Sequence, residues 1–481
     1  MTGFLKEKIY ANCVYFVTFL FLIFPYADKD WGWHLKYGEY FLETGQVLRT
    51  NPFTWTLPLY QWINHEWLFD PLLTILFKNV GFLGLSILGG VVSFFVFFFA
   101  IRAFKLNFWN IGVLAFFFER IFETAAYEGF RSQILSLLFL SILVFTLIKA
   151  RENIELILLL PILFLVWANF HGTFIIGIFV SLIFLGNYLL DDFLKKKKIN
   201  NKFKLILVTL MVSVAATFIN PYGYKVYLED IKHFSNPNLK YVYEWLPIST
   251  DCGYCHEYTF LGFSAVIVFV IYKRRQFFFE DLHYIACFAI FGVLSFKVQR
   301  YLGVFIVVTL PYLATYLENL KLDLNKFRSI DYLTILIVSI GVCFNFFNRF
   351  PSFNLYRYSE KDYCLYSSMC SVSLADYLLK NPPSGKGFNF YDWGGYLIGK
   401  GIDTKLFIDG RMHLWEEDGY DPFTDYISIY YQEDYKKFDE YGFDWVIVRD
   451  DSSLAQALIS ATKKGGWKLK FSEGRALYFT R

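Results

Sequence analysis

Two clusters of ionisable and aromatic side chains stand out near the start of the chain. The first, Asp28-Lys29-Asp30-Trp31-Gly32-Trp33-His34, directly follows a hydrophobic segment; the second, Trp62-Ile63-Asn64-His65-Glu66-Trp67, comes just before hydrophobic sequence resumes. Alternating carboxylates beside a membrane can hold a divalent cation and leave one oxygen pair free as a general base. A hydroxyl or amine that attacks an electrophile must lose its proton, and Asp30, with Asp28 as second candidate, suits that role. Asp28, Asp30 and Glu66 are the candidate metal ligands. His65 and Glu66 could also orient a phosphate, or simply start an interfacial helix with Glu66 near its positive end. Ionisable groups held against a bilayer suggest a site for a charged ligand that arrives on a lipid; an aromatic belt with solvated charges is the competing account.

Cations that could meet such a ligand lie further on. Arg131 follows Glu123 and Glu128, Arg300 follows Lys297, and each opens a hydrophobic segment. A guanidinium offers a planar fork to phosphate oxygens, and His34 and His65 join the two arginines as candidate phosphate contacts. Snorkelling at a helix end would place an arginine in the same position. His171, between Asn169 and Gly172, could line the same cavity or be a satisfied turn histidine.

These residues must be carried by membrane helices. Of 481 residues 56% are hydrophobic, and Phe and Tyr, at 57 and 35, lift the aromatic share to 22%; the mean hydropathy is +0.37. Apolar runs approach or reach the ~20 residues that cross a hydrocarbon core. They fall at 9–26, 82–101, 107–122, 131–148, 154–170, 173–190, 204–220, 257–273, 281–296, 301–317 and 331–349. The expected architecture is a polytopic α-helical bundle of about 11–12 transmembrane helices. The first span lacks a small-x-small cleavage site and reads as a retained anchor. The apolar piece 67–77 is short for a span and is expected not to cross.

Basic residues set the orientation. Arg102, Lys105, Lys149, Arg151, Lys195 to Lys198, Lys273 to Arg275 and Lys321 to Arg328 all fall on one side, which the positive-inside rule makes cytoplasmic. The N-terminus is then cytoplasmic, and the loop 27–66 and everything after 350 lie outside a cell membrane. A net charge of +3 gives no argument for nucleic acid as a partner.

From residue 351 the composition becomes that of a soluble α/β domain reaching 481, distinct from the bundle 1–350. A helix is predicted over 372–380 and strands over 387–390, 405–408 and 445–448; a helix at 454–463 and a hairpin from 467–471 and 477–480 follow. Cys364 with Cys370, and Cys252 with Cys255, are candidate disulfides in an oxidising compartment. The Cys252–Cys255 pair could instead carry free thiols or begin a zinc site.

Several stretches together resemble membrane glycosyltransferases of the GT-C fold, a group that includes protein mannosyltransferases and oligosaccharyltransferases. They are Asp28-x-Asp30-Trp31-x-Trp33-His34-x-x-x-Gly38, Asn51-Pro52-Phe53-Thr54, Trp62-x-x-His65-Glu66-Trp67 and Trp167-Ala168-Asn169-Phe170-His171-Gly172. Asn220-Pro221-Tyr222-Gly223, Glu244-Trp245, Tyr391-Asp392-Trp393-Gly394-Gly395-Tyr396 and Asp409-Gly410-Arg411 continue the series along nearly the whole chain. The resemblance implies transfer of a sugar from a polyprenyl-phosphate-linked donor to an extracytoplasmic glycan, lipid or protein, with the catalytic aspartate at Asp30 or Asp28. Some members of the fold need a divalent cation and others do not. The turn 391–396 is similar to the acceptor-holding motif of oligosaccharyltransferases, though its aromatics come in another order and a second glycine intervenes. That makes Asp392, Trp393 and Tyr396 candidate acceptor contacts; a tight turn that requires glycine is the alternative. A non-catalytic transporter or assembly protein of surface polysaccharide is the second functional class. It should carry ionisable residues near mid-membrane, whereas here they gather at one face.

Overall fold

The computed structural model describes residues 3–196, 201–248, 256–320, 358–368 and 370–481. The span expected at 331–349 and the Cys252–Cys255 pair lie outside them. Each of the other ten expected spans is helical. Among the described residues five helices are long and apolar enough to cross a membrane: Phe69–Ile101, Ser132–Ala150, Phe174–Leu194, Arg275–Lys297 and Gln299–Glu318. The protein is a multi-pass membrane protein by this measure. Its contacts separate it into two units, the first drawn from Met1–Tyr26, Leu83–Gly223 and Lys240–Phe353, the second from Ala27–Phe82, Tyr224–Leu239 and Asn354–Arg481.

The first unit is a helical bundle. It contains α1 (Gly3–Phe21), the later part of α3 (Phe69–Ile101, whose residues up to Phe82 belong to the second unit), α4 (Phe108–Ala126), α5 (Ser132–Ala150), α6 (Leu160–Phe170) and α7 (Phe174–Lys196), then α8 (Asn201–Thr217), α10 (His256–Lys273), α11 (Phe278–Lys297) and α12 (Leu302–Glu318). Helix α12 packs against α4, α5 and α11, and its residues from Leu302 to Ala314 are all buried. Small residues bring these helices close: a Cβ on Gly303 would press on Leu137 and Ala125. The buried Trp167 indole donates to Ser136 Oγ at 3.0 Å, so its one polar atom is satisfied inside the bundle.

The second unit joins α2 (Trp31–Thr44) and the loop after it, the start of α3, and α9 (Lys225–Ser235) to the C-terminal α/β segment. A division at residue 350 would put the loop 27–66 with the bundle; the contacts put it with the C-terminal segment, because backbone and side chains bond the two directly. Trp55 N donates to Leu406 O at 3.0 Å and Leu406 N to Phe53 O at 3.0 Å, and Thr56 Oγ1 donates to Phe407 O at 2.7 Å. The expected strand 405–408 is therefore a short bridge to the loop, not a member of the sheet.

The sheet has four strands in the order β1-β2-β4-β3: β1 (Gly387–Asn389), β2 (Trp445–Arg449), β4 (Ala476–Thr480) and β3 (Lys468–Glu473). β1 and β2 run parallel, and the other neighbours antiparallel. Around it stand α13 (Glu360–Ser367), α14 (Val372–Lys380), α15 (Gly394–Lys400), α16 (Pro422–Tyr431), α17 (Tyr435–Tyr441) and α18 (Ser453–Lys463). Cys364 and Cys370 are joined in a disulfide, as the spacing suggested. Gly81 breaks α3 with a φ of 61°, a value L side chains rarely adopt. The apolar piece after Trp67 thus forms its own short helix before the longer run begins.

Candidate functional site

The second unit gathers most of the residues singled out above. Asp30 occupies the N-cap position of α2 but does not cap it. Its Oδ1 accepts from Trp33 Nε1 at 3.0 Å, and its backbone N–H donates to Asp28 Oδ1 at 3.1 Å. Asp28 has no exposed surface, and its carbonyl accepts from the Tyr363 hydroxyl at 2.8 Å. The two carboxylates therefore divide the work. Asp28 shapes the turn, while Asp30, only partly buried, is the one that a solute can meet. Between them Lys29 pairs with Asp392 at 3.0 Å.

One turn into α2, His34 is buried and bonded through Nδ1 to Asp70 Oδ1 at 2.6 Å. Asn64 donates to the other Asp70 oxygen at 2.7 Å, and the second ring nitrogen of His34 lies 3.6 Å from Glu66 Oε2. Asp70 fixes the ring, and the ring faces Glu66. His65 is half-buried beside it. Gly38 permits the packing, since a Cβ there would collide with Thr74 and the Asp70 backbone.

Asp409-Gly410-Arg411 closes against this turn from the C-terminal segment. Arg411 is 5% exposed and Asp409 not at all. The guanidinium bonds Asp409 at 2.7 and 2.6 Å, the Tyr37 hydroxyl at 2.6 Å and Asn51 Oδ1 at 3.1 Å. The rings of Trp33, Tyr37, Phe53, Trp62 and Trp415 surround it at 4.9–5.9 Å. Burial opposes its charge, but the Asp409 carboxylate and the Tyr37 hydroxyl more than offset that and hold its pKa above the ordinary value. Gly410 abuts Asp30: a Cβ there would run into Asp30 Oδ1.

The turn 391–396 meets the same surface. A Cβ on Gly395 would strike the Lys29 carbonyl, and one on Gly32 would strike that of Gly395. The glycines at these two positions let α15 lie against α2. Trp393 and Tyr396 are 2% and 1% exposed, and Tyr396 donates to Glu360 Oε1 at 2.7 Å. Of the three candidate acceptor contacts, Asp392 alone reaches the surface; the other two face the interior because the turn is anchored through them.

Helix α9 contributes two acids. Asp230 is 7% exposed and its Oδ2 has no hydrogen-bond partner among the described residues. Burial, then the charges of Glu229 and Glu66, push its pKa well above the usual carboxylate range. Burial likewise raises Glu229, against the pull of Lys232.

Within this unit no three His, Cys, Asp or Glu ligand atoms among the described residues lie within 4.8 Å of one another. Of the candidate metal ligands, Asp28 accepts from the Asp30 N–H and Glu66 lies 3.6 Å from His34 Nε2.

Arg131 and Arg300 belong to the first unit, where the structure brings them together. Glu244 lies between them, paired with Arg300 through Oε1 and 3.7 Å from Arg131 through Oε2; Arg131 also pairs with Glu128. Arg300 sits over the Trp245 ring at 5.4 Å. His171 turns back on its own loop, accepting from Thr173 N at 3.1 Å.

Lys29, Asp70, Asn64 and the roles of Asp409 and Arg411 were not assigned from sequence. Asp409-Gly410-Arg411 was visible as a motif, but nothing in its spacing announced a buried ion pair.

No family model and no curated protein matches the chain. Solved structures do. An archaeal oligosaccharyltransferase, AglB from Archaeoglobus fulgidus in complex with an inhibitory peptide and a dolichol-phosphate, aligns with a TM-score of 0.59 at 9% identity, over 93% of this chain and 70% of that one. The Archaeoglobus fulgidus oligosaccharyltransferase in its apo form gives a TM-score of 0.55 at 10% identity over the same shares. Its complex with zinc and sulfate gives 0.51 at 9%, over 92% and 68%. At these identities the likeness is one of fold, and it extends over nearly the entire chain: a multi-pass helical membrane fold with a small C-terminal sheet domain.

Proposed function

We propose that the protein is a membrane glycosyltransferase that moves a sugar from a polyprenyl-phosphate-linked donor to an acceptor outside the cytoplasm. The observation that carries this reading is Asp30: a partly exposed carboxylate bonded by the Trp33 indole and backed by Gly410, on a fold shared with an enzyme solved in complex with a dolichol-phosphate. In the step envisaged, the acceptor O–H or N–H gives its proton to Asp30 as its lone pair forms a bond to the sugar's anomeric carbon. The bond from that carbon to the phosphate oxygen breaks, and the leaving phosphate keeps the electron pair. Arg131 and Arg300 are the candidates to meet that charge, with His34 and His65 as second contacts. The one-sided Lys/Arg distribution supports a site and a C-terminal domain outside the cell membrane, with the N-terminus cytoplasmic.

The test is transfer from polyprenyl-phosphate sugars by purified protein in nanodiscs. General-base catalysis contributes about 10²–10⁴-fold, so Asp30→Asn, which keeps size and hydrogen bonding, should lower turnover by that order and leave donor binding measurable. Full activity in Asp30→Asn would remove the assignment. Failure of the unmodified protein to bind any such donor would leave the transporter or assembly reading in its place.

A further inference from the structure

A cavity of about 370 Å³ opens on the C-terminal segment where α16 ends and α18 begins, within the ~300–1,000 Å³ usual for small-ligand sites. Two of its walls are tyrosines. Tyr431 is 61% exposed, a large ring left in solvent, while Tyr430 is buried to 8%; the rings stand 5.0 Å apart at 79°, forming a corner. A charge pair at the end of β2 also lines it. Arg449 bonds Asp451 through two parallel contacts of 3.0 and 2.7 Å, and its guanidinium lies 5.6 Å from the centre of the Phe390 ring. Ser452 fixes the corner, donating to Arg449 O at 2.7 Å while accepting from Ala455 N at 3.1 Å.

We infer that this cavity binds a pyranose ring of a saccharide acceptor, with Tyr431 as stacking platform and the Arg449–Asp451 pair as the contact for adjacent hydroxyls. The inference rests on the transferase reading above and names its acceptor class. An exposed aromatic face suits the C–H side of a sugar ring, which is apolar on one face and rimmed by hydroxyls. A guanidinium and a carboxylate side by side present donors and acceptors together, as a vicinal diol requires. Because the pair is neutral overall, the cavity favours neither a phosphate nor a basic peptide. Its position also fits: Asp392, whose charge acts on both Tyr431 and Arg449, is the partner of Lys29, the neighbour of Asp30.

The experiment is saturation-transfer NMR on the full chain in lipid nanodiscs with three probes: maltohexaose, hexagalacturonate and an Asn-x-Thr hexapeptide. The expected result is binding of maltohexaose, weakened at least tenfold by Tyr431→Ala and by Arg449→Gln and retained by Tyr431→Trp. Tyr431 is exposed enough that its replacement leaves the fold standing, and Leu469→Ala, an exposed change on β3, serves as the control. Binding of neither saccharide overturns the inference, as does saccharide binding that Tyr431→Ala leaves undiminished, or binding of the peptide alone. Donor turnover is followed separately. Tyr431-dependent saccharide binding without turnover keeps the cavity and discards the transferase reading, whereas turnover without saccharide binding does the reverse.

Discussion

Asp409 grips Arg411 by two contacts in a place that water scarcely reaches, and the same guanidinium reaches Tyr37 on α2 and Asn51 in the loop after it. Two stretches of chain more than 350 residues apart are thus fastened by one side chain. Removing one partner of a buried pair leaves the other charge unanswered, at a cost of about 3–5 kcal/mol. Arg411→Ala and Asp409→Ala should each lower the thermal unfolding midpoint in detergent far more than Arg481→Ala, an exposed arginine. Arg411→Lys should recover little, because an ammonium cannot make the two-point contact with Asp409 and still reach Tyr37 and Asn51.

Gly410 makes a different prediction, because its hydrogen faces the Asp30 carboxylate. The atom a Cβ would meet is the far end of a side chain, held by the Trp33 indole, and it can swing aside without disturbing the backbone. Gly410→Ala should therefore fold and yet misplace the candidate base, and a displacement on the order of 1 Å can cost ~10²-fold in rate. Turnover and unfolding midpoint measured on the same preparation separate the two effects. A variant with unchanged turnover would show that the carboxylate's position does not matter.

Asp230 predicts a dependence on pH. Its proton is held more tightly in the folded chain than in the unfolded one, so the folded state binds more protons above the ordinary carboxylate value of 3.8. Stability must then fall as pH rises from that value through the raised one. The charges acting on it are Glu229 from its own helix, itself pulled by Lys232, and Glu66 from the stretch 27–66. Asp230→Asn should raise the unfolding midpoint at pH 7.5, and the gain should shrink towards pH 4. An equal gain at both values would mean that the carboxylate is not carrying this cost.

How much of this was legible beforehand follows from the range of the interactions. Helices announce themselves by local composition, and all ten expected spans within the described residues are helical. The α/β segment's helices and terminal hairpin are also local patterns. The stretch 405–408 misled because its apolar run suits a strand, while its partner, Phe53–Thr56, lies in another part of the sequence. Asp28 and Asp30 were visible as a pair, but which one is buried depends on Tyr363 and the backbone turn. Trp393 and Tyr396 stand beside glycines, where an aromatic can be lining or anchor, and their burial follows from packing that the local sequence does not show.

The arginine pair yields the last prediction. Glu244 holds Arg300 and stands within reach of Arg131, so a carboxylate now occupies the place between two guanidinium groups where a donor phosphate would be received. An incoming phosphate must compete with that carboxylate. Arg300→Ala removes a charge-assisted contact, worth about 1.5–3 kcal/mol, and should weaken donor binding by roughly ten- to a hundredfold. Glu244→Gln removes the competing charge but keeps the side chain's size, so it should leave donor affinity equal or higher. Titration of a polyprenyl-phosphate sugar into each variant in nanodiscs measures both. If Glu244→Gln weakens the donor as much as Arg300→Ala does, the carboxylate is aligning the arginines for their ligand and not standing in its place.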